Sequence, residues 1–411
     1  MKISCAAVHA VVSILAALYS PQATAQPELV AQGQFSGSDR DHSGLTEEIA
    51  PGVVHNQLGG FSALEYSGFG TTYYALPDRG AQDGAFPYQC RFQVVDIRVS
   101  ATASSEGCLS EKLSLKLLET RLLFNAGGSV LTGLASAIDS ADPEHSLRFD
   151  PEGFRCATGG SFFVSDEYGP TVSEFVSGGR RLRSFAIPEH FRIKHPSGSP
   201  QEEADANSSG RQPNRGFEGL AISPNGGKLF AVLQGPLIQD SVALPNGKRS
   251  GIHLRLLEID RHSGQQREFV YPLDDPRNGV SEILAINDDN FLLIERDSTK
   301  GSAAAYKKII HATTQGATNI SGRHELPAHE LSTDIRRMQK SILIDLLDPK
   351  YFLRGDLMPE KIEGLTFGPD LPDGRRLLMI CSDNDFVTDE PSRFYAFGIN
   401  STLLPGFAWE R

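Results

Sequence analysis

Phe217-Glu218-Gly219-Leu220-Ala221-Ile222, then Ser223-Pro224-Asn225-Gly226, then Leu229-Phe230-Ala231-Val232-Leu233 is the stretch that decides the fold. Two apolar runs of strand length flank Pro-Asn-Gly, a sequence suited to the positive φ of a tight hairpin turn. The first run opens on Phe-Glu-Gly, and the second ends in Gln234-Gly235.

The same shape recurs along the chain, which points to a repeat architecture. Gly60-Phe61-Ser62-Ala63-Leu64-Glu65 leads into Thr71 to Leu76 and then Asp78-Arg79-Gly80. Asp150-Pro151-Glu152-Gly153-Phe154 leads into Ser161 to Val164 and Ser165-Asp166-Glu167. Ser281-Glu282-Ile283-Leu284-Ala285-Ile286 leads into Phe291 to Ile294 and Glu295-Arg296-Asp297. Ile362-Glu363-Gly364-Leu365-Thr366-Phe367 leads into Leu377 to Ile380 and Ser382-Asp383-Asn384. Further strands are read at Val172 to Val176, Leu254 to Asp260 and Phe394 to Phe397.

The glutamates fall at 65, 152, 218, 282 and 363, at intervals of 87, 66, 64 and 81 residues. A propeller blade with its loops takes about 40–50 residues, so these units carry insertions. The expectation is an all-β chain: a six-bladed β-propeller with loop insertions and a short helical decoration. One blade would lack a clean motif, in the 90–145 region. Five blades, or two stacked β-sandwiches, are the alternatives. Alternation in Leu113-Ser114-Leu115-Lys116-Leu117 reads as a strand. Residues 196–213 read as a mobile polar loop, and Asp334 to Leu347 as the helical decoration.

Around this core, Lys2, an apolar run from Ala6 to Leu18, and Ala23-Thr24-Ala25 read as a signal peptide over residues 1–25. Residues 26–411 then form a single domain, periplasmic or secreted, with no membrane span after cleavage. The cysteines left are Cys90, Cys108, Cys156 and Cys381. In an exported chain they permit disulfides, Cys90 with Cys108 or Cys156 with Cys381. A net charge of −12 argues against nucleic acid as a partner, which calls for a basic surface.

The ordered run of Glu-Gly units, Asp-Arg-Gly, Asp-Pro-Glu-Gly and Ser-Asp-Glu resembles the phytase-like family, named for the esterase-like activity of phytase. The resemblance covers roughly residues 55 to 400. It implies an exported β-propeller that hydrolyses a phosphoester or carboxylic ester, with the repeated glutamates as suspected catalytic groups. The matching residues are Glu65, Glu152, Glu218, Glu282 and Glu363, with Asp78, Arg79, Asp166 and Glu167 in the flanking motifs.

In a propeller the innermost strands line a central channel, so equivalent glutamates would form a ring. Crowded carboxylates repel and hold protons more tightly unless a cation or an arginine neutralises them. Calcium takes six to eight oxygens and is the expected cofactor. Its expected ligands are Glu65, Asp78, Asp166, Glu167, Glu282, Glu295 and Asp383. Glu218, Glu152 and Glu363 are the expected catalytic groups, Glu218 as general base. Arg79, Arg215 and Arg296 would hold the anionic part of the substrate. Each glutamate equally suits a clasp that accepts backbone N–H bonds between blades.

No Gly-x-Ser-x-Gly elbow and no phosphate-binding P-loop occurs. His324 and His329 are five apart rather than four, and Pro327 breaks the helix a zinc pair needs. The leading reading is a hydrolase of a small ester or phosphoester. A non-catalytic propeller that binds a ligand or partner protein is one alternative. A metal-dependent lactonase of the gluconolactonase type is another.

Overall fold

A computed structural model describes residues 26–99, 113–139, 141–142 and 145–409. The expected signal segment and Cys108 lie outside the described residues. Five four-stranded antiparallel sheets are present among them. The first blade runs Phe61–Tyr66, Thr72–Pro77, Arg91–Val99 and Leu113–Leu122 from the inside outward. The second runs Pro151–Cys156, Ser161–Asp166, Thr171–Val176 and Arg181–Ser184. The third is Phe217–Ile222, Lys228–Leu233, His253–Asp260 and Gln266–Pro272. The fourth is Gly279–Ala285, Asn290–Arg296, Lys307–Thr313 and Gln339–Asp345.

The fifth blade takes three strands from the C-terminal part, Lys361–Phe367, Arg376–Asp383 and Ser392–Ile399. Its outermost strand is the N-terminal Glu28–Phe35, paired antiparallel with Ser392–Ile399. This pairing closes the ring. Each inner strand then lies beside the inner strands of both neighbouring blades.

Five blades therefore replace the expected six. Among its described residues, the 90–145 region holds no blade of its own. Arg91–Val99 and Leu113–Leu122 are outer strands of the first blade. Among the described residues between 123 and 150, Thr132 bridges to Gln89 and Phe124 to Val130. Asp334 to Leu347 is not helical but contains the outer strand Gln339–Asp345. The helix instead lies in the segment read as a mobile loop, at Pro200–Ala206, where the Ser199 side chain accepts from Glu202 N. Cys90 and Cys381 are buried free thiols, so Cys381 forms no disulfide with Cys156.

Blades pack face to face, so their inner strands are buried on both sides; Phe61–Tyr66 and Phe217–Ile222 are buried throughout. Five large apolar clusters fill the interfaces, one per blade junction. Phe154 and Phe162 stack at 4.6 Å between the first and second blades. Phe230 meets Phe291 edge-on at 4.7 Å between the third and fourth.

Every inner strand shifts register at the same place, one or two residues after its first pair with the second strand. Aligned on this shift, Ser62, Glu152, Glu218, Ser281 and Glu363 are equivalent. The next position holds Ala63, Gly153, Gly219, Glu282 and Gly364. Close approach of the neighbouring strand explains the glycines. A Cβ on Gly153 would lie 2.5 Å from Leu220 N, and one on Gly219 would lie 2.7 Å from Ile283 N. Gly219→Ala is expected to destabilise the protein by about 1–3 kcal/mol, because backbone must move to admit the methyl. Urea unfolding of the variant checks this; an unchanged midpoint would remove the close-approach explanation.

Candidate active site

The strand starts of the inner ring surround a cavity of about 220 Å³. Ser62, Glu152, Glu218, Ser281 and Glu363 supply the ring position, and Asp78, Arg79, Glu167, Arg215, Gln234, Arg296, Glu360 and Lys361 complete much of the wall. Period-two alternation along a strand puts Glu363 and Lys361 on the same face. The second strands end in Asp78-side, Glu167-side and Arg296-side turns, which bring those groups over the same mouth.

Most of the charges are already paired. Arg79 donates to Asp150 and Asn214, and to Glu167 Oε2 at 2.9 Å. Arg296 donates to Glu363 Oε1 at 2.6 Å and to Ser281 Oγ at 2.8 Å. Lys361 donates to Asp383 Oδ2 at 2.9 Å and to Asp385. Burial works to lower the Lys361 pKa, but Asp383, Glu363, Asp78 and Asp385 around it hold it well above its ordinary value. Arg215 differs: its guanidinium makes no hydrogen bond or ion pair among the described residues. Burial lowers its pKa, opposed by Glu167 and Glu218.

Among the wall carboxyls, Asp78, Glu152 and Glu218 are all held well above the usual carboxylate range, and Glu152 and Glu218 stand next to Arg215 in the lining of the cavity. Burial is the main cause for Glu152 and Glu218. Glu218, Asp150, Glu167 and Asp78 push Glu152 further, and no donor offsets them. Glu218 is repelled by Glu167 and Glu363 but relieved by Arg296 and by Gln234, whose Nε2 donates to its Oε1 at 2.5 Å. The two environments separate the pair: Glu152 favours its acid form, and Glu218 is the better supported carboxylate.

Four of the expected ligands stand elsewhere. Glu65 and Glu282 lie deeper, fully buried against Arg155 at 3.6 and 2.9 Å. Arg155 also donates to the carbonyls of Leu64, Phe154, Ile283 and Leu365 at 2.7 to 3.3 Å. Four of the five inner strands are thus bound to one guanidinium on the axis. Even beside it, burial pushes Glu282 up to about 8. Asp166 accepts backbone N–H bonds from Asp150, Tyr168 and Gly169, which fixes a turn. Glu295 is saturated by Tyr271, Asn278, Lys340 and Asp274 N. None of these four lines the cavity.

The other expected residues, Glu152, Glu218, Glu363, Arg79, Arg215, Arg296, Asp78 and Glu167, do line it. Asp383 sits behind, on Lys361. Lys361, Asp150, Gln234, Asn214 and the serines at 62 and 281 were not expected. Lys361 and Asp150 stand two residues before a cavity glutamate, a spacing that signals the same face.

Two trios place carboxylate oxygens within 4.8 Å of one another: Asp150, Glu152 and Glu167, and Asp78, Asp383 and Asp385. Arg79 already bridges two members of the first, and Lys361 two members of the second. Those two side chains neutralise part of the negative charge of each trio.

A family model described as Phytase-like, esterase-like activity of phytase, matches residues 56–386. An "Uncharacterized secreted protein" of Arthroderma benhamiae is 28% identical, with 82% of this chain and 80% of that protein covered. Solved structures with similarity include a luciferin-regenerating enzyme, 12% identical with a TM-score of 0.30, covering 83% of this chain and 92% of that one. A streptogramin B lyase is 11% identical with a TM-score of 0.31, covering 83% and 94%.

Proposed function

The chain belongs to the phytase-like family, that of the esterase-like activity of phytase, and from that premise we propose that it is an exported hydrolase of a carboxylic ester or phosphoester. The observation that supports this most is the unpaired Arg215 guanidinium in one cavity with Glu218 and Glu152. Hydrolysis needs a group to take a proton from water, a group to give one to the leaving oxygen, and a cation for the anionic oxygen. In this reading Glu218 takes the water proton as the new bond to the carbonyl or phosphoryl centre forms. Glu152 gives its proton to the departing alcohol oxygen as the ester bond breaks. Arg215 faces the anionic oxygen. The leader-like N-terminus supports export, as does the name of the Arthroderma relative.

Calcium, if bound, would supply positive charge near the reacting oxygen. The two carboxylate trios fit its shell poorly while Arg79 and Lys361 pair with them.

The test is turnover of carboxylic esters, a lactone and phosphoesters by the mature protein, with added calcium or with a chelator. Chelator-resistant turnover is expected. Its pH profile should fall as pH rises through the raised Glu152 pKa, because the acid form is lost. Glu152→Gln should remove that alkaline limb together with most of the rate. Turnover lost in chelator would restore the calcium-assisted mechanism. No turnover on any ester would favour a propeller that only binds.

A further inference from the structure

The cavity sets the charge that its ligand can carry. Arg79, Arg296 and Lys361 are committed to carboxylates. Arg215 is the one lining cation among the described residues with no side-chain partner. Its stem packs against Gly235, where a Cβ would lie 2.8 Å from Arg215 Cδ, so only glycine leaves room for it there. The carboxylates that line the cavity with it, Asp78, Glu152, Glu167, Glu218, Glu360 and Glu363, outnumber the four lining cations six to four.

Size adds a second limit. The space of about 220 Å³ is below the roughly 300–1,000 Å³ of pockets for drug-sized ligands. A ligand with several phosphates would bring many negative charges to one free guanidinium. It would meet a wall rich in carboxylates, at the short range and low dielectric where repulsion is strongest.

Resting on the hydrolase reading above, we propose that the substrate is a compact ester with a single anionic group seated on Arg215, and that polyphosphorylated esters are rejected. Arg215 is then the residue that sets specificity. Hydrolysis consumes one water and releases the acid and the alcohol, so no further reactant is needed.

The test has two arms on the intact mature protein. The first is calorimetric binding of dimethyl phosphate, a monoanion, against tripolyphosphate and inositol hexakisphosphate. The second is kcat/KM on methyl p-nitrophenyl phosphate, p-nitrophenyl phosphate and p-nitrophenyl acetate, which are of similar size, with Arg215→Met and Arg215→Lys compared after a thermal check of folding. The monoanion should bind best, and kcat/KM should fall by about tenfold or more from singly to doubly charged phosphoester. Arg215→Met should lose more on the monoanionic ester than on the neutral one, mainly through KM, and Arg215→Lys should restore part. Polyanions binding as tightly as the monoanion, or an equal loss on charged and neutral esters, overturns the proposal. Monoanion binding without turnover on any ester leaves the charge rule standing and overturns the hydrolase reading. Binding of no anion overturns the proposal.

Discussion

Replacing Arg155 with methionine is expected to cost about 3–5 kcal/mol of stability, the range for removing one partner of a buried ion pair. The side chain is fully buried and meets Glu65, Glu282 and four backbone carbonyls. Without it, both carboxylates lose their shared counter-charge. Glu282 keeps only its bonds from Leu220 N and Ile283 N, at 3.0 and 2.9 Å. Glu65 keeps those from Cys156 N and Thr366 Oγ1, both at 3.2 Å. Urea unfolding measures the loss. The triple change Arg155→Met, Glu65→Gln, Glu282→Gln should recover part of it, because the stranded charges are gone. A single variant as stable as the parent would show that the guanidinium is a passenger.

The second large effect is on rate. Glu218→Gln is expected to lower kcat/KM by about 10²–10⁴-fold, the usual contribution of a general base. It should also raise stability at neutral pH. Burial and the charges of Glu167 and Glu363 hold the folded Glu218 pKa well above its unfolded value of about 4.3. A group shifted up in this way contributes fully below the unfolded pKa, and its contribution is lost as pH rises through the folded pKa. A neutral isostere escapes that loss, so the variant should gain on the parent as pH rises. The paired outcome, slower and more stable, separates a functional carboxylate from a clasp. A glutamate kept for backbone bonds would lose stability on neutralisation and leave turnover intact.

The propeller was legible in the sequence because each blade opens with the same hairpin, and hairpin signals are local. The number of blades was not. The 87-residue interval between Glu65 and Glu152 left room for a blade without a motif, but its described residues are spent on the long outer strands of the first blade and on isolated bridges. Register was the second difficulty. Counting glutamates placed Glu65 and Glu282 in the ring, yet the shared shift puts Glu282 level with Gly153, Gly219 and Gly364, and Glu65 level with Arg155. The distinguishing mark was in the chain: Glu152, Glu218 and Glu363 are each followed by glycine, whereas Glu65 precedes Tyr66 and Glu282 precedes Ile283. The glycine marks the close strand approach that goes with the cavity position. Asp334 to Leu347 misled for another reason. The outer strand Gln339–Asp345 is half-exposed, so its pattern carries little of the alternation that identifies a buried strand.

The pairing of Glu28–Phe35 with Ser392–Ile399 has a consequence in time. A ribosome makes the first of these strands hundreds of residues before the second. Until then the first blade has no neighbour on one side, and the apolar cluster joining it to the fifth cannot form. Contacts between such distant parts of a chain slow folding, because the entropy of closing the loop must be overcome before they form. The ring therefore reaches its final state only at the end of synthesis, and a chain cut short of residue 392 would keep an open seam whose strand edges invite pairing with other chains.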